Sequence, residues 1–276
     1  MTIAITGVTG KVGGQLAALL SQQGIPARHL ARSPERAPKY ANATVVKAAY
    51  ADSAETVEAL KGVKTLFMVS AAEHPQRLEQ HFAFVDVAQK AGVTHIIYTS
   101  FYNAADNSVF TLARDHAKTE QYIIKKGFTY TFLRDNFYLD FFLDLCQSNG
   151  EIRGPAGNGS VSAVARQDVA EVGACILKAP EKWANQTLDL TGPENLTMAD
   201  IVRAISEKTG EMLTFIDETV EEAYQSRKRW PAQDWEYDAW VSTYTAIKAG
   251  EQAGVSCDVE SVLGRPATSL RDLLNP

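Results

Sequence analysis

The sequence predicts an α/β protein built on a doubly wound parallel sheet. Short segments that are apolar throughout alternate with amphipathic segments along the first half of the chain. Strands without a polar face are typical of a parallel sheet that helices cover on both sides. The first apolar segment also runs directly into three glycines, Gly7, Gly10 and Gly13, before an amphipathic segment begins.

Hydrophobic periodicity places the individual elements. The predicted strands cover residues 3–6, 27–31, 44–47, 65–69, 95–99, 129–133 and 187–190. The predicted helices cover residues 12–23, 54–60, 78–91 and 114–125, and a further helix begins at residue 198. The glycine-rich stretch 150–159 predicts a loop.

The strand at 187–190 would return to the main sheet, which predicts two discontinuous domains. Residues 1–135 and 166–192 form the NAD(P)-binding domain in this prediction, and residues 136–165 and 193–276 form a smaller substrate-side lobe. A chain of 276 residues is long enough to bury one sizeable core and a smaller second one.

Composition excludes several functions. The 27 basic and 33 acidic residues give a net charge of −6 without a basic run, so nucleic acid is not an expected partner. No apolar run approaches the ~18 residues of a membrane span. Cys146, Cys175 and Cys257 are far apart and form no metal-binding pattern, which predicts buried free thiols, no metal site and a cytoplasmic protein.

The order strand, glycines, helix is the arrangement that a dinucleotide pyrophosphate needs. Gly7 would allow a tight turn, Gly10 a close approach of backbone to phosphate, and Gly13 close packing of helix on strand. The phosphates would then lie at the free N–H groups of the helix start. The loop residues expected to bind the cofactor are Gly7, Thr9, Gly10, Lys11, Val12 and Gly13.

Residues that follow the other strands extend this prediction, because ligands bind at the carboxyl ends of parallel strands. Arg32 suits the 2′-phosphate of NADP through its charge and planar donors, although it could also be a solvated surface residue. Asp52 could accept from the adenine amino group or cap the next helix. Ser70 and Ser100 complete the expected cofactor contacts.

The segment Thr6-Gly-Val-Thr-Gly-Lys-Val-Gly13 resembles the glycine loop of atypical short-chain dehydrogenase/reductases, especially the NmrA-like group. Later motifs are similar to those of its NADPH-dependent quinone oxidoreductases and triphenylmethane reductases. These motifs are residues 70–77, 98–101, 116–120, 131–134, 165–170, 190–194 and 264–266, with Phe137 and Tyr138. The resemblance implies a Rossmann-type fold, NADPH as cofactor and an aromatic acceptor such as a quinone.

Two departures from this pattern bear on mechanism. Ordinary short-chain dehydrogenases use Tyr-x-x-x-Lys for proton transfer, whereas this chain has His116-x-x-x-Glu120. Asp135 follows Arg134, where the subgroup often has asparagine, and Asn136 comes one residue later. Reduction of an unactivated ketone is therefore not expected, while an acceptor that takes hydride readily needs mainly positioning.

The candidate catalytic residues are His116 and Tyr138. His116 could orient the substrate or donate a proton, or it could be a helix-face histidine without a chemical role. The expected substrate-binding residues are His74, Phe101, Tyr102, Asn136, Phe137 and Trp240. For the aromatic residues, core packing is the alternative. The stripe Tyr237, Trp240, Tyr244 and Ile247 has helical spacing and could be core or a lid over an aromatic ligand.

The sequence favours an NADPH-dependent reductase of quinones or related electron-poor aromatics. The alternative is a non-catalytic NAD(P)-sensing regulator, since some NmrA-like proteins bind cofactor and regulate a partner. A weaker option is the reduction of another activated double bond, for which Lys118 lies two positions out of register with the lysine of isoflavone-reductase relatives. A homodimer is one assembly that the chain could form.

Overall fold

A computed structural model describes residues 2–275. The chain divides into two compact units. Unit 1 comprises the residues up to 100 together with 115–134 and 167–188, and unit 2 comprises 101–114, 135–166 and the residues from 189 onward. The functional assignment of the two predicted domains stays a prediction.

Unit 1 is built on a seven-stranded sheet, which confirms the predicted parallel α/β architecture. The strands are β1 (Ile3–Ile5), β2 (Ala27–Ala31), β3 (Ala43–Lys47), β4 (Thr65–Met68), β5 (His95–Phe101), β6 (Thr129–Asp135) and, later in the chain, β9 (Gln186–Leu190). Their order is β3-β2-β1-β4-β5-β6-β9. The chain moves outward in one direction from β1 and returns to its other side at β4, so the carboxyl ends of β1 and β4 flank the switch point where ligands bind in such sheets.

Helices cover both faces of this sheet because each buries an apolar stripe. They are α1 (Lys11–Gln22), α2 (Ala54–Leu60), α3 (Arg77–Lys90), α4 (Thr111–Lys125) and α6 (Arg166–Lys178). Leu60, Phe84 and Ile123, from α2, α3 and α4, join one core with strand residues such as Leu66. On the other face, Gly173 of α6 lies against Phe67 and Leu16.

Unit 2 packs shorter elements around a second core. These are α5 (Leu139–Asn149), β7 (Glu151–Gly154), β8 (Ser160–Val161), β10 (Leu196–Thr197), α7 (Met198–Thr209), β11 (Thr214–Asp217), α8 (Val220–Arg227), α9 (Asp234–Lys248), α10 (Asp258–Leu263) and α11 (Leu270–Leu273). Strand β7 pairs with β11 in parallel, and β8 pairs with β10 antiparallel. Phe142, Ile152, Ile201 and Tyr244 belong to the core.

Two sequence-based expectations are wrong in detail. The glycine-rich stretch 150–159 contains strand β7, because buried Ile152 and Gly154 alternate with the half-buried Glu151 and Arg153. Of the three cysteines only Cys146 is buried, while Cys257 is exposed. In the part of the chain that the structure describes, no helix is long and apolar enough to cross a membrane.

Candidate functional site

The loop between β1 and α1 depends on its glycines. Gly7 has a φ of +67°, and a Cβ there would lie 2.9 Å from the Val69 Cβ. A Cβ at Gly13 would lie 2.4 Å from the Gly7 carbonyl oxygen, which is an impossible contact. At Gly10 the nearest atom to such a Cβ is again the Gly7 oxygen, at 3.2 Å, and the remaining space is open. The chain itself therefore requires Gly7 and Gly13, whereas Gly10 leaves room for a ligand.

The N-terminus of α1 carries no internal cap. Gly10 is its N-cap, no side chain accepts from the first turn, and the first turn contains no acidic residue. By contrast, α7, α8 and α11 all begin with a capping box. Uncapped N–H groups at a helix start bind anions, so the loop fits a dinucleotide pyrophosphate. Thr9 and Lys11 are exposed beside it, and the Val12 side chain is buried.

Arg32 lies directly after β2 and is exposed. Within residues 2–275 it makes no hydrogen bond or ion pair, so its guanidinium is available to an anion. Asp52 is exposed and pairs with Lys90 at 2.7 Å. The capping alternative for Asp52 is wrong, because the Ser53 hydroxyl accepts from the Thr56 N–H at 3.2 Å and caps α2.

The segment after β4 is fixed by side chains of α3. The Ser70 N–H donates to the Thr99 hydroxyl at 2.8 Å. Arg77 Nε donates to the Ala71 carbonyl at 3.0 Å, and the Ala71 N–H donates to His81 Nε2 at 2.9 Å. Both the N–H and the carbonyl oxygen of Ala71 are thus hydrogen-bonded, which fixes the backbone after the carboxyl end of β4.

His116 belongs to the same buried network. The Arg77 guanidinium can only donate, so His116 Nε2, 2.8 Å from Arg77 Nη2, is an acceptor. Nδ1 then carries the hydrogen and donates to the Tyr98 hydroxyl at 2.9 Å. Burial, followed by the nearby charges of Arg77 and His81, holds the pKa of His116 well below its usual value of 6.5. This geometry favours an orienting role over proton donation.

Ser100 and Glu120 form a second buried cluster with Arg134. The Ser100 hydroxyl donates to Glu120 Oε1. Arg134 donates to both carboxylate oxygens of Glu120, through Nε at 2.9 Å and Nη2 at 2.6 Å. Glu120, which stands where Tyr-x-x-x-Lys has its lysine, is therefore paired with Arg134. The Ser100 hydroxyl also points to Glu120.

Of the candidate substrate-binding residues, Phe101 and Phe137 lie in one aromatic cluster of unit 2 with Phe110. The three ring centroids are 4.9 to 5.0 Å apart. Tyr102 donates to the Ala253 carbonyl at 3.3 Å. Phe110 could not be predicted from the sequence, because its position before α4 carries no motif.

The remaining candidates differ in their exposure. Asn136 is buried, and its Nδ2 donates to the Ser162 hydroxyl at 3.0 Å and the Gln252 carbonyl at 2.9 Å. His74 is exposed and its Nδ1 accepts from the Gln76 N–H. Trp240 is half-buried against the Tyr237 ring.

The apolar stripe of α9 divides along its length. Tyr244 and Ile247 belong to the core of unit 2. Tyr237 and Trp240 are half-buried, with ring centroids 5.6 Å apart in an edge-to-face arrangement. Core packing therefore accounts for the C-terminal half of the stripe.

Tyr138 is the N-cap residue of α5, and its hydroxyl donates a short hydrogen bond to Asp135 Oδ2. Asp135 is buried, and its Oδ1 has no hydrogen-bond partner among the described residues. Burial raises the pKa of Asp135 to about 7, although the Tyr138 hydrogen bond acts in the opposite direction. In the sequence, Asp135 was only a departure from the subgroup pattern. Its burial could not be predicted from its residue type alone.

The parallel sheet and the uncapped, glycine-lined start of α1 are features of dinucleotide-binding α/β proteins. The model of the NmrA-like family matches residues 1–233. The chain belongs to the NmrA-like family, which confirms the predicted membership.

Several relatives match almost the whole chain. A protein named quinone oxidoreductase 2 from Escherichia coli (strain K12) is 28% identical over 98% of this chain and 96% of its own length. An NAD(P)H azoreductase from Xenophilus azovorans is 29% identical with the same coverage. The crystal structure of an Escherichia coli NADPH-dependent quinone oxidoreductase complexed with NADPH has a TM-score of 0.90 at 27% identity, covering 99% of this chain and 98% of that chain. A Citrobacter triphenylmethane reductase complexed with NADP(H) has a TM-score of 0.85 at 28% identity, covering 100% and 99%.

Proposed function

We propose that this chain transfers a hydride from NADPH to a quinone or a related electron-poor aromatic acceptor. The chain is an NAD(P)H-dependent oxidoreductase, the class of the quinone oxidoreductase and the azoreductase that it resembles over nearly its full length. Its cofactor is NADP, which is present in the crystal structures of two of its neighbours. The identity of the acceptor as a quinone is a narrower proposal than the class of enzyme and its cofactor.

The uncapped N-terminus of α1, next to the open space at Gly10, is the observation that carries the proposal. The first-turn N–H groups, with Thr9 and Lys11 beside them, would hold the pyrophosphate, and Arg32 would hold the 2′-phosphate. Asp52 would accept from the adenine amino group, and Ser70 and Ser100, near the carboxyl ends of β4 and β5, would contact the cofactor. When bound, the cofactor supplies the hydride.

The choice of acceptor follows from the residues at the expected proton-transfer position. His116 is a neutral acceptor, and Glu120 is paired with Arg134, so neither reproduces the tyrosine–lysine pair. An acceptor that takes hydride readily requires positioning, which can lower a barrier by several kcal/mol. The aromatic cluster of Phe101, Phe110 and Phe137 supports a flat aromatic acceptor.

Tyr102 follows Phe101 in the chain and is half-buried, while Asn136 holds the segment that carries Phe137. His74 is exposed and Trp240 is half-buried, and their role in acceptor binding stays a prediction. A cytoplasmic location and a homodimeric assembly stay predictions.

Steady-state oxidation of NADPH with a panel of simple benzoquinones tests the proposal. Turnover is expected for the native chain and should be absent for Gly10→Val, whose side chain would fill the space beside the α1 N-terminus. The non-catalytic sensor is the other candidate. NADPH binding without oxidation by any acceptor would support that sensor and contradict the reductase.

The presence of Arg32 predicts that the chain prefers NADPH over NADH. Its charge-assisted contacts should make NADPH bind more tightly than NADH by ~1.5–3 kcal/mol, and Arg32→Ala should remove that preference. Arg36→Ala, a nearby exposed arginine, is the matched control and should keep it. Titration of both cofactors checks the prediction, and equal affinities in the native chain would refute the 2′-phosphate assignment.

A further inference from the structure

Asp135 and Tyr138 form a buried acid–hydroxyl pair that the hydride step leaves unused. Asp135 is the last residue of β6, at the carboxyl end of a strand in the central sheet, and its side chain is buried. Its Oδ2 shares a hydrogen bond with the Tyr138 hydroxyl, while its Oδ1 has no partner among residues 2–275. A structural carboxylate normally has both oxygens satisfied.

The surroundings of Asp135 favour the protonated form of its carboxyl group. No ion pair to Asp135 occurs in the described part of the chain, and an ionised carboxylate with one oxygen unsatisfied is costly to bury. The cation Arg166 acts on Tyr138: its guanidinium lies 5.2 Å from the centre of the Tyr138 ring and pairs with Asp144 at 3.3 Å. Asp140 faces the same tyrosine and accepts from the Arg166 N–H. The raised pKa of Asp135 agrees with this geometry.

We propose that Asp135 stores a proton and that Tyr138 delivers it to the oxygen of the reduced acceptor. This inference rests on the proposed quinone reduction, which consumes one hydride and one proton for each quinone. The Tyr138 O–H bond breaks as an O–H bond forms on the acceptor. The Asp135 carboxyl proton refills the tyrosine oxygen, and solvent water reprotonates the carboxylate. The tyrosine thus donates at neutral pH without an adjacent lysine.

Acceptor chemistry separates proton delivery from hydride transfer. A neutral benzoquinone needs a hydride and a proton, whereas a cationic triphenylmethane dye needs only the hydride to become its neutral leuco form. Loss of the relay should therefore lower quinone turnover relative to dye turnover. A merely structural pair would affect both acceptors alike, because both depend on the same fold and cofactor.

The experiment measures the ratio of quinone to dye kcat in Asp135→Asn and Tyr138→Phe. We expect each variant to lower this ratio by about 10- to 100-fold, in the range of general acid catalysis. The chain offers a matched control in the surface pair Tyr224 and Asp238, which lie 2.7 Å apart. Tyr224→Phe and Asp238→Asn should leave the ratio unchanged.

A second readout does not involve turnover. Isotope-edited infrared spectra of the protein without NADPH should show a protonated aspartate at about pH 6 that is lost in Asp135→Asn. An unchanged ratio in both variants, or an ionised Asp135 at that pH, would overturn the relay. If the native chain reduces neither acceptor, the proposed function itself fails, whereas equal loss of both reactions contradicts only the relay.

Discussion

At the scale of single residues, environment decides what His116 can do. In the sequence it occupies the place of a catalytic tyrosine and ionises near neutral pH. In the structure the adjacent Arg77 makes its Nε2 an acceptor, and burial disfavours the charged form. Arg77 was part of a motif in the sequence, but its contact with His116, 39 positions later, could not be predicted from spacing.

His116 is accordingly expected to be neutral at neutral pH, with the proton on Nδ1. Nitrogen chemical shifts of the labelled imidazole measure both properties. Titration of His116 above about pH 6, or a proton on Nε2, would contradict the network described here.

At the scale of elements, the junction of β1 and α1 is the most tightly determined part of unit 1. Helix α1 approaches the loop so closely that a single Cβ at Gly13 cannot be placed. This closeness brings the uncapped helix start to the end of β1. The spacing of the glycines predicted this junction correctly, since only a few residue types allow such packing.

Gly13→Ala should therefore lower the free energy of unfolding by roughly 1–3 kcal/mol, the usual cost of forcing extra atoms into a packed site. The adjacent Gly14→Ala is the control, because its Cβ would meet only the Val8 oxygen at 3.3 Å and alanine is the better helix former. Denaturant unfolding compares the two. Similar stabilities for both variants would show that the helix can move away from the loop.

The elements also show where prediction from sequence stops. The strands of unit 1 and its helices α1 to α4 were predicted within a few residues, because uniformly apolar strands and amphipathic helices give strong periodic signals. Helix α6 of the same unit was not predicted. Strand β7 was not predicted, because it has only four residues. It follows Gly150 and ends in Gly154, and glycines so close together resemble a turn. Its parallel partner β11 lies 63 positions later, from Glu151 to Thr214, a pairing that local pattern cannot indicate.

The same limit applies to the candidate site. The packing of the glycine loop could be predicted, because it depends on residue type and on position after a strand, whereas the role of Arg32 stays a prediction. The buried pairs of Arg77 with His116, Glu120 with Arg134 and Asp135 with Tyr138 depend on burial and partner geometry. Their roles became visible only in three dimensions.

At the scale of the whole molecule, Asp135 makes stability depend on pH. Its pKa is about 7 in the folded chain and near 3.8 when exposed, so the folded state holds a proton that the unfolded state loses between these values. The free energy of unfolding therefore falls as pH rises through this window. His81 and His116, whose pKa values are lowered by burial, act oppositely below about pH 6.5.

The difference in unfolding free energy between Asp135→Asn and the native chain isolates the contribution of Asp135, because His81 and His116 contribute equally to both proteins. Relative to the native chain, the variant should gain roughly 1–4 kcal/mol as pH rises from about 4 to 7, and then level off. Denaturant unfolding at several pH values measures this difference. A difference that is independent of pH would mean that Asp135 is ionised throughout the range.

Hydride transfer is tested most directly by a single turnover of NADPH deuterated at the transferred position, with a simple benzoquinone as acceptor. If the chain is a reductase that works mainly by positioning its reactants, NADPH absorbance should decay in one phase and deuterium should slow that phase by a primary isotope effect. His116→Ala should lower the rate by ~10²-fold or less, because a residue that orients others is not the proton donor. A native chain that binds NADPH but oxidises none of it with any quinone or dye would contradict this account.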